Sequence, residues 1–572
     1  MRNKRFSRLR KQVSGTKTVA WLLPAAALLL WAPSATAGAP EWLRALARAP
    51  VPRYAEETDA VVLLDERVTT VNESGEIKTL YRRAYKILRP EGRKRGTVVV
   101  YFDNETRLTY LKAWSLPAAG GEYEVKEKDA IETSPFGVEL YADTRRKVLP
   151  IPAAEPGNVI GYEYEQKRRP FILQDRWFFQ DPDPVRRARF ALQLPKGWEF
   201  VSVWMNYSAQ DPHRTGENQW VWEIADVPAI EPELSMPPWQ AVGGWLAVTY
   251  YPRHVEEVKG KGHGSWHDVG AWYSQLAATR RQATPEIQRK VAELTSSAPM
   301  LLDKIRALAS FAQRKIRYVA IEIGIGGYQP HLAQDVFSNG YGDCKDKATL
   351  LSTMLREVGI ESYYVLIHTS RGVVARNFPS MLNFNHAILA IRLPEEVPAT
   401  SLYSVRNYEQ LGRLLFFDPT DSFTPLGYLP PTLQANYGLL VTQDGGELLE
   451  LPLLPPSVNR LLRVAKLALS PTGTLSGEVQ EIRWGAPAVN RRAELLEATG
   501  PERSKILERF LGRFLGGFVL VSAEAENLED FDKGLVVRYR FVAESYAKAA
   551  GNLLLVRPRV LGQKSADLLE RK

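Results

Sequence analysis

One cysteine, Cys344, serves the whole 572-residue chain. A lone thiol excludes an internal disulfide framework, and because none follows the N-terminal apolar stretch it also argues against a lipid-anchored form. Past its first 40 residues the chain lacks any apolar run near the ~18 to 20 residues of a helical membrane span, so no transmembrane span is expected in the mature chain. It also lacks a real excess of charge. The formal net charge is +9, but seven basic residues and no acidic one precede Ala37, leaving +2 for the rest. The basic character is therefore a feature of the leader, and no nucleic-acid partner is expected. No internal repeat is present, and 45% hydrophobic with 24% charged residues is the composition of an ordinary globular protein.

What is present begins with that leader. "MRNKRFSRLRKQ" is a basic segment, "VAWLLPAAALLLWA" an apolar one of signal-peptide length, and "ATA" ending at Ala37 a small-residue cleavage site. Export to the periplasm or the exterior is expected, with residues 1–37 as signal peptide or as an uncleaved N-terminal anchor. The remainder exceeds what one hydrophobic core usually fills, ~250 to 300 residues, so a multidomain α+β chain is expected.

Residues 51–245 read as a β-sandwich-like region. "TDAVVLLDERVTTVNESGEIKTLYRRAYKIL" gives two alternating segments around a turn at "NESGE", and "GTVVVYF", "NVIGYEYEQ", "ARFALQL" and "QWVWEIADV" continue the pattern. Trp177, Trp198, Trp204, Trp220 and Trp222 fall here, and packing between sheets suits them better than a carbohydrate-stacking surface. Residues 265–430 start helical, with Ser265 and Thr284 as N-caps and Pro285 at the first helical position, then turn to strands in "SYYVLIHT", "NHAILAIRL" and "RLLFFDPT". Residues 440–572 read as a small mixed α+β domain without a chemical motif.

The cysteine sits in "NGYGDCKDKATLLSTMLREVG". Ala348, Leu351, Leu355 and Val358 share a helical face, Gly359 supplies the stop, and Asp343 caps the start, which puts Cys344 in the first turn. Free amide hydrogens and the positive end of the helix dipole favour a thiolate there; Asp343 and Asp346 oppose it, and Lys345 and Lys347 assist. A buried apolar role is the ordinary alternative for a free cysteine. Activation needs a base near neutrality. His386 opens one apolar strand and Asp418 ends another, so two adjacent antiparallel strands can carry an imidazole and a carboxylate facing a helix N-terminus. Taken singly, His386 also reads as a half-buried packing residue and Asp418 as a turn former before Pro419.

"YGDCKDKATLLSTMLREVGI", "FNHAILAI" and "LLFFDPTD" together resemble the Cys, His and Asp blocks of the transglutaminase-like superfamily, relatives of the papain-type cysteine proteases. The layout resembles exported bacterial multidomain members with a β-rich N-terminal domain of unknown function. The resemblance covers residues 265–430. It implies a papain-like core with Cys344 as nucleophile, His386 as base and then acid, and Asp418 as the carboxylate orienting the imidazole. It further implies an upstream side chain at the oxyanion, for which Gln329 in "GIGGYQP" is the candidate beside the Cys344 N–H. The chemistry implied is acyl transfer or hydrolysis at amide bonds of a protein or cell-envelope peptide, without a cofactor.

Other constellations carry less. His263 and His267 in "HGSWH" lack the Glu of a zinc-protease helix, and Gly264 with Ser265 starts the helix between them; His254 adds a ligand only at loop spacing. Asp343 and Asp346 lack the further oxygens of a calcium site, so no metal is expected. His331 and His368 read as surface or packing residues. The competing function class is a catalytically inactive transglutaminase-like scaffold of the cell envelope. Thiol reactivity discriminates the two.

Overall fold

In the computed structural model the described residues are 38–135, 140–253 and 260–562. The signal peptide over 1–37 and His254 lie outside them.

The hairpin read around "NESGE" forms. Strands Ala60–Val71 and Ile77–Ile87 pair antiparallel, and the Asn72 side-chain oxygen accepts from the N–H groups of Ser74 and Glu76 at 3.1 and 2.9 Å, with Gly75 left-handed at φ 78°. This hairpin lies inside an eight-stranded sheet. Its pairings are antiparallel except between Ala60–Val71 and Val185–Gln193, which run parallel. Two three-stranded sheets, one of Gln174–Phe178, Trp245–Pro252 and Trp198–Met205, the other of Thr97–Phe102, Arg145–Pro150 and Ile131–Thr133, share its core. Trp177, Trp198 and Trp222 are buried in that core, and Phe190 lies between Trp177 and Trp222 with ring centroids 5.7 and 5.6 Å away. Packing is what these aromatics do. A short helix, Glu41–Arg48, precedes the sheet and buries Leu43 against it.

The central region is a helix layer on a sheet. Helices Trp266–Ala277, Pro285–Thr295, Leu301–Arg314, Ala333–Asn339 and Cys344–Arg356 precede all six strands of an antiparallel sheet. Its order is Val405–Tyr408, Gly412–Phe417, His386–Leu393, Ser362–Ile367, Tyr437–Val441, Gly446–Glu450. The last two strands carry the sheet past residue 430. Alternation divides the strand residues between faces: Tyr364, Leu366, Leu389 and Ile391 pack on the helices, while Val365, Ile367, Ile388 and Ala390 pack beneath the segment around Leu429–Val458. Ser265 caps the first helix by accepting from the Asp268 N–H.

The β-rich region joins this core through backbone pairing and one side-chain hydrogen bond. Strand Leu140–Ala142 pairs parallel with Ala320–Glu322, Ile172 bridges to Lys261, and the Gln174 amide donates to the Pro379 carbonyl at 2.8 Å. From Ala39 onward the chain is one compact unit. At its end, strands Arg460–Leu469, Leu475–Trp484, Leu535–Ala543 and Phe518–Glu526 form an antiparallel sheet whose core includes residues of helices Ala486–Glu497 and Gly500–Leu511. Among the described residues no helix is long and apolar enough to cross a membrane.

Candidate active site

The turn before Cys344 is built by sequence of unusual economy. Gly340, left-handed at φ 69°, closes helix Ala333–Asn339, and Tyr341–Gly342 then pairs with Arg317–Tyr318. A Cβ on Gly342 would lie 2.6 Å from the Asp346 Cβ, so only glycine fits. Asp343 is the N-cap: its carboxylate accepts from the Asp346 N–H, and the Asp346 carboxylate accepts from the Asp343 N–H, both at 3.2 Å. This reciprocal box fixes Cys344 as the first residue of helix Cys344–Arg356.

The charges around the cysteine are committed to structure. Lys345 is ion-paired with Asp343, and Lys347, fully buried, donates to the Gln313 and Ile316 carbonyls at 3.1 and 2.8 Å. Burial pushes Asp343 up to about 6 against the pull of Lys345, and burial brings Lys347 down to about 8. Asp346 also accepts from the His331 N–H at 2.8 Å and pairs with its Nδ1 at 3.0 Å. His331 is thus a part-exposed residue that also partners the cap, and its hydrogen bond with Asp346 raises its pKa against burial.

The cysteine, histidine and aspartate converge. The strand register pairs Leu389 with Phe417, which sets Asp418 one residue past the last pair and within reach of the imidazole. His386 Nε2 lies 2.9 Å from Asp418 Oδ2, and Cys344 lines the same cleft as His386 and is one of the groups that raise its pKa. The other Asp418 oxygen accepts from the Thr420 N–H at 2.9 Å and its hydroxyl at 2.7 Å. Burial disfavours the imidazolium, but the Asp418 charge and hydrogen bond together with Cys344 outweigh it, and the His386 pKa lies well above its ordinary value. Asp418, buried, is held below the usual carboxylate range because His386 and Thr420 overcome its desolvation.

Gln329 is not brought to this group. Its amide donates to the Leu276 carbonyl at 3.0 Å, and its neighbour Tyr328 is the residue that faces the site. Both follow the short turn at Gly324–Gly327.

Cys344 and His386 lie on a cleft of about 490 Å³. Core residues form one wall, including Tyr273, Tyr328, Met381 and Phe384; the β-rich region forms the other through Asp103–Thr106, Asp143–Thr144 and Arg168–Gln174. Cys344 is itself 8% exposed. Tyr273 is buried, and its hydroxyl has no hydrogen-bond partner among the described residues. Tyr318 stands near the same group, its pKa raised by burial and then by Cys344 and Asp343. His263 is buried against Trp272 with ring centroids 5.6 Å apart, while His267 is exposed beside Asp268.

Comparison with known proteins agrees with this architecture. Residues 288–387 match the family profile described as transglutaminase-like superfamily, and residues 73–231 match a domain of unknown function, DUF3857. A crystal structure of a candidate protease from Parabacteroides distasonis superposes with a TM-score of 0.52 at 12% identity, covering 84% of this chain and 99% of that one. At that identity the likeness is one of fold. A candidate cysteine protease from Cytophaga hutchinsonii gives a TM-score of 0.18 at 9% identity over 60% of this chain and 76% of its own, too low to carry an argument. Among proteins of curated description none matches the sequence.

Proposed function

With residues 288–387 a transglutaminase-like core behind a DUF3857 domain, we propose that this protein is an exported cysteine-dependent enzyme acting at amide bonds of proteins or cell-envelope peptides. The transglutaminase-like core supports an enzyme. The observation that carries the finer reading is the His386–Asp418 contact of 2.9 Å with the Cys344 side chain on the same imidazole.

In the proposed reaction His386 takes the Cys344 proton and the thiolate attacks an amide carbonyl. A C–S bond forms, the C–N bond breaks, and the departing amine carries off the proton from the imidazolium. The neutral imidazole then deprotonates a second nucleophile, which attacks the acyl-thioester carbon and returns the thiol. Water as that nucleophile makes the protein a peptidase or amidase, and a lysine amine makes it a cross-linker. Asp418 fixes the ring and stabilises the imidazolium without itself taking the proton.

The test is iodoacetamide labelling of the mature protein followed by intact mass across pH, wild type against His386→Ala. Cys344 is the only thiol in the chain, so every label reports it. Labelling that is fast in the wild type and collapses in the variant supports the reading. Labelling indifferent to His386 would sink it and leave the inactive scaffold. Hydrolysis and transfer are then separated by adding a fluorescent primary amine to a peptide turnover assay and asking whether it is incorporated.

A further inference from the structure

The two walls of the cleft differ in charge. Four carboxylates line it: Asp103 and Glu105 from the turn between strands Thr97–Phe102 and Thr106–Leu116, Asp143 ahead of strand Arg145–Pro150, and Glu322 at the end of Ala320–Glu322. Two cations line it as well, and both are already engaged. Arg168 is paired with buried Asp175, which also holds Arg67, and Lys345 is paired with buried Asp343. Asp103, Asp143 and Glu322 have no ion-pair partner among the described residues. A further cation, Arg176, acts on Tyr328 together with Asp103 and Glu322; it keeps its charge but forms no ion pair with either carboxylate among the described residues.

A second observation points to a ligand in the same cleft. Tyr273 is 1% exposed, lines the cleft with Cys344, and its hydroxyl has no hydrogen-bond partner among the described residues. A buried hydroxyl left unpaired destabilises the fold, and a molecule bound in the cleft would supply the missing partner. The cleft thus leaves the Tyr273 hydroxyl without a polar partner and three of its carboxylates without an ion-pair partner among the described residues.

We propose that the cleft selects a cationic acyl donor, a peptide amide bearing a lysine or arginine side chain or a free amino group. Asp103, Asp143 and Glu322 hold its positive charge while a polar group of the same molecule completes Tyr273. This deepens the function proposed above and rests on it only for calling the ligand a substrate. It also gives the β-rich region a task, since two of the three carboxylates belong to it. Charge selection in a confined cleft of this kind falls with salt.

The experiment uses two alkylating reagents and the full mature chain. Both are iodoacetamides with the same five-carbon arm, one ending in a guanidinium and the other in an isobutyl group of similar bulk. In each reaction the Cys344 sulfur bonds to the reagent carbon and iodide leaves, and the rate is divided by that of plain iodoacetamide on the same protein. At low ionic strength the guanidinium reagent is expected to be faster by about tenfold. That ratio should fall to within about twofold in D103N/D143N/E322Q and in ~0.5 M salt. Glu322→Gln alone, at a side chain with no hydrogen bond among the described residues, must lower it in the same direction, so a misfolded triple variant does not rescue the idea. Equal rates in the wild type, or a preference that survives the triple variant, would overturn it. If instead plain iodoacetamide labelling ignores His386→Ala, the catalytic reading fails while the charge preference is judged independently.

Discussion

Asp418 divides its two oxygens between two tasks: Oδ2 meets His386 Nε2 at 2.9 Å, and Oδ1 is anchored by Thr420 through both its N–H and its hydroxyl. Asp418→Asn keeps the shape and removes the charge that supports the imidazolium. We expect His386-dependent activity to drop by roughly 10²- to 10⁴-fold. The direction in pH is fixed. His386 is raised by Asp418, so the imidazolium survives to higher pH in the wild type, and the alkaline arm of the labelling profile should move to lower pH in the variant. An unmoved arm would count against the assignment.

Gly342→Ala tests the turn that delivers the cysteine. Its new Cβ would stand 2.6 Å from that of Asp346, and relieving the clash opens the capping box. A loss of about 1–3 kcal/mol in urea unfolding is expected, with slower Cys344 labelling. Wild-type stability in this variant would contradict the account.

His331 gives a stability term with a defined sign. Asp346 raises its pKa above the unfolded value, so its contribution is present below pH ~6.5 and is lost as pH climbs through the native value. The side chain is 41% exposed, and solvent screening keeps the term below about 1 kcal/mol. The gap between wild type and His331→Ala in urea midpoint should therefore be larger at pH 5.5 than at pH 9.

His263 runs the other way. Burial brings it down to about 4, opposed by Asp268, and its Nε2 has no partner among the described residues. Between pH ~6.5 and 4 the unfolded chain binds a proton that the native one refuses, so stability falls with pH across that window, by up to about 2–3 kcal/mol. His263→Gln should flatten the acid side of the stability curve, which urea titrations at pH 7.5, 5.5 and 4.5 would register.

The parts of the site that lie in strong local patterns were legible. Asp343, Cys344 and the apolar face behind them form one capped helix, and His386 and Asp418 begin and end strands whose alternation is plain. What escaped depends on contacts that no local pattern carries. The choice of Tyr328 over Gln329 is a matter of side-chain direction after a glycine-rich turn. The Asp103 and Asp143 turns reach Cys344 from some 200 residues upstream, through a pairing, Leu140–Ala142 with Ala320–Glu322, too short for any periodicity to register. His331 read only as a surface or packing residue because its partner is the far end of a capping box.

That three-residue pairing sets how the protein can be dissected. An excised core would carry a raw strand edge at Ala320–Glu322 and would lose a whole wall of its cleft, so the seam between the two matched families is not a seam of the folded molecule. A truncation that looks natural on paper would yield a sticky fragment with a stripped thiol, and its silence in an assay would say nothing about the intact protein.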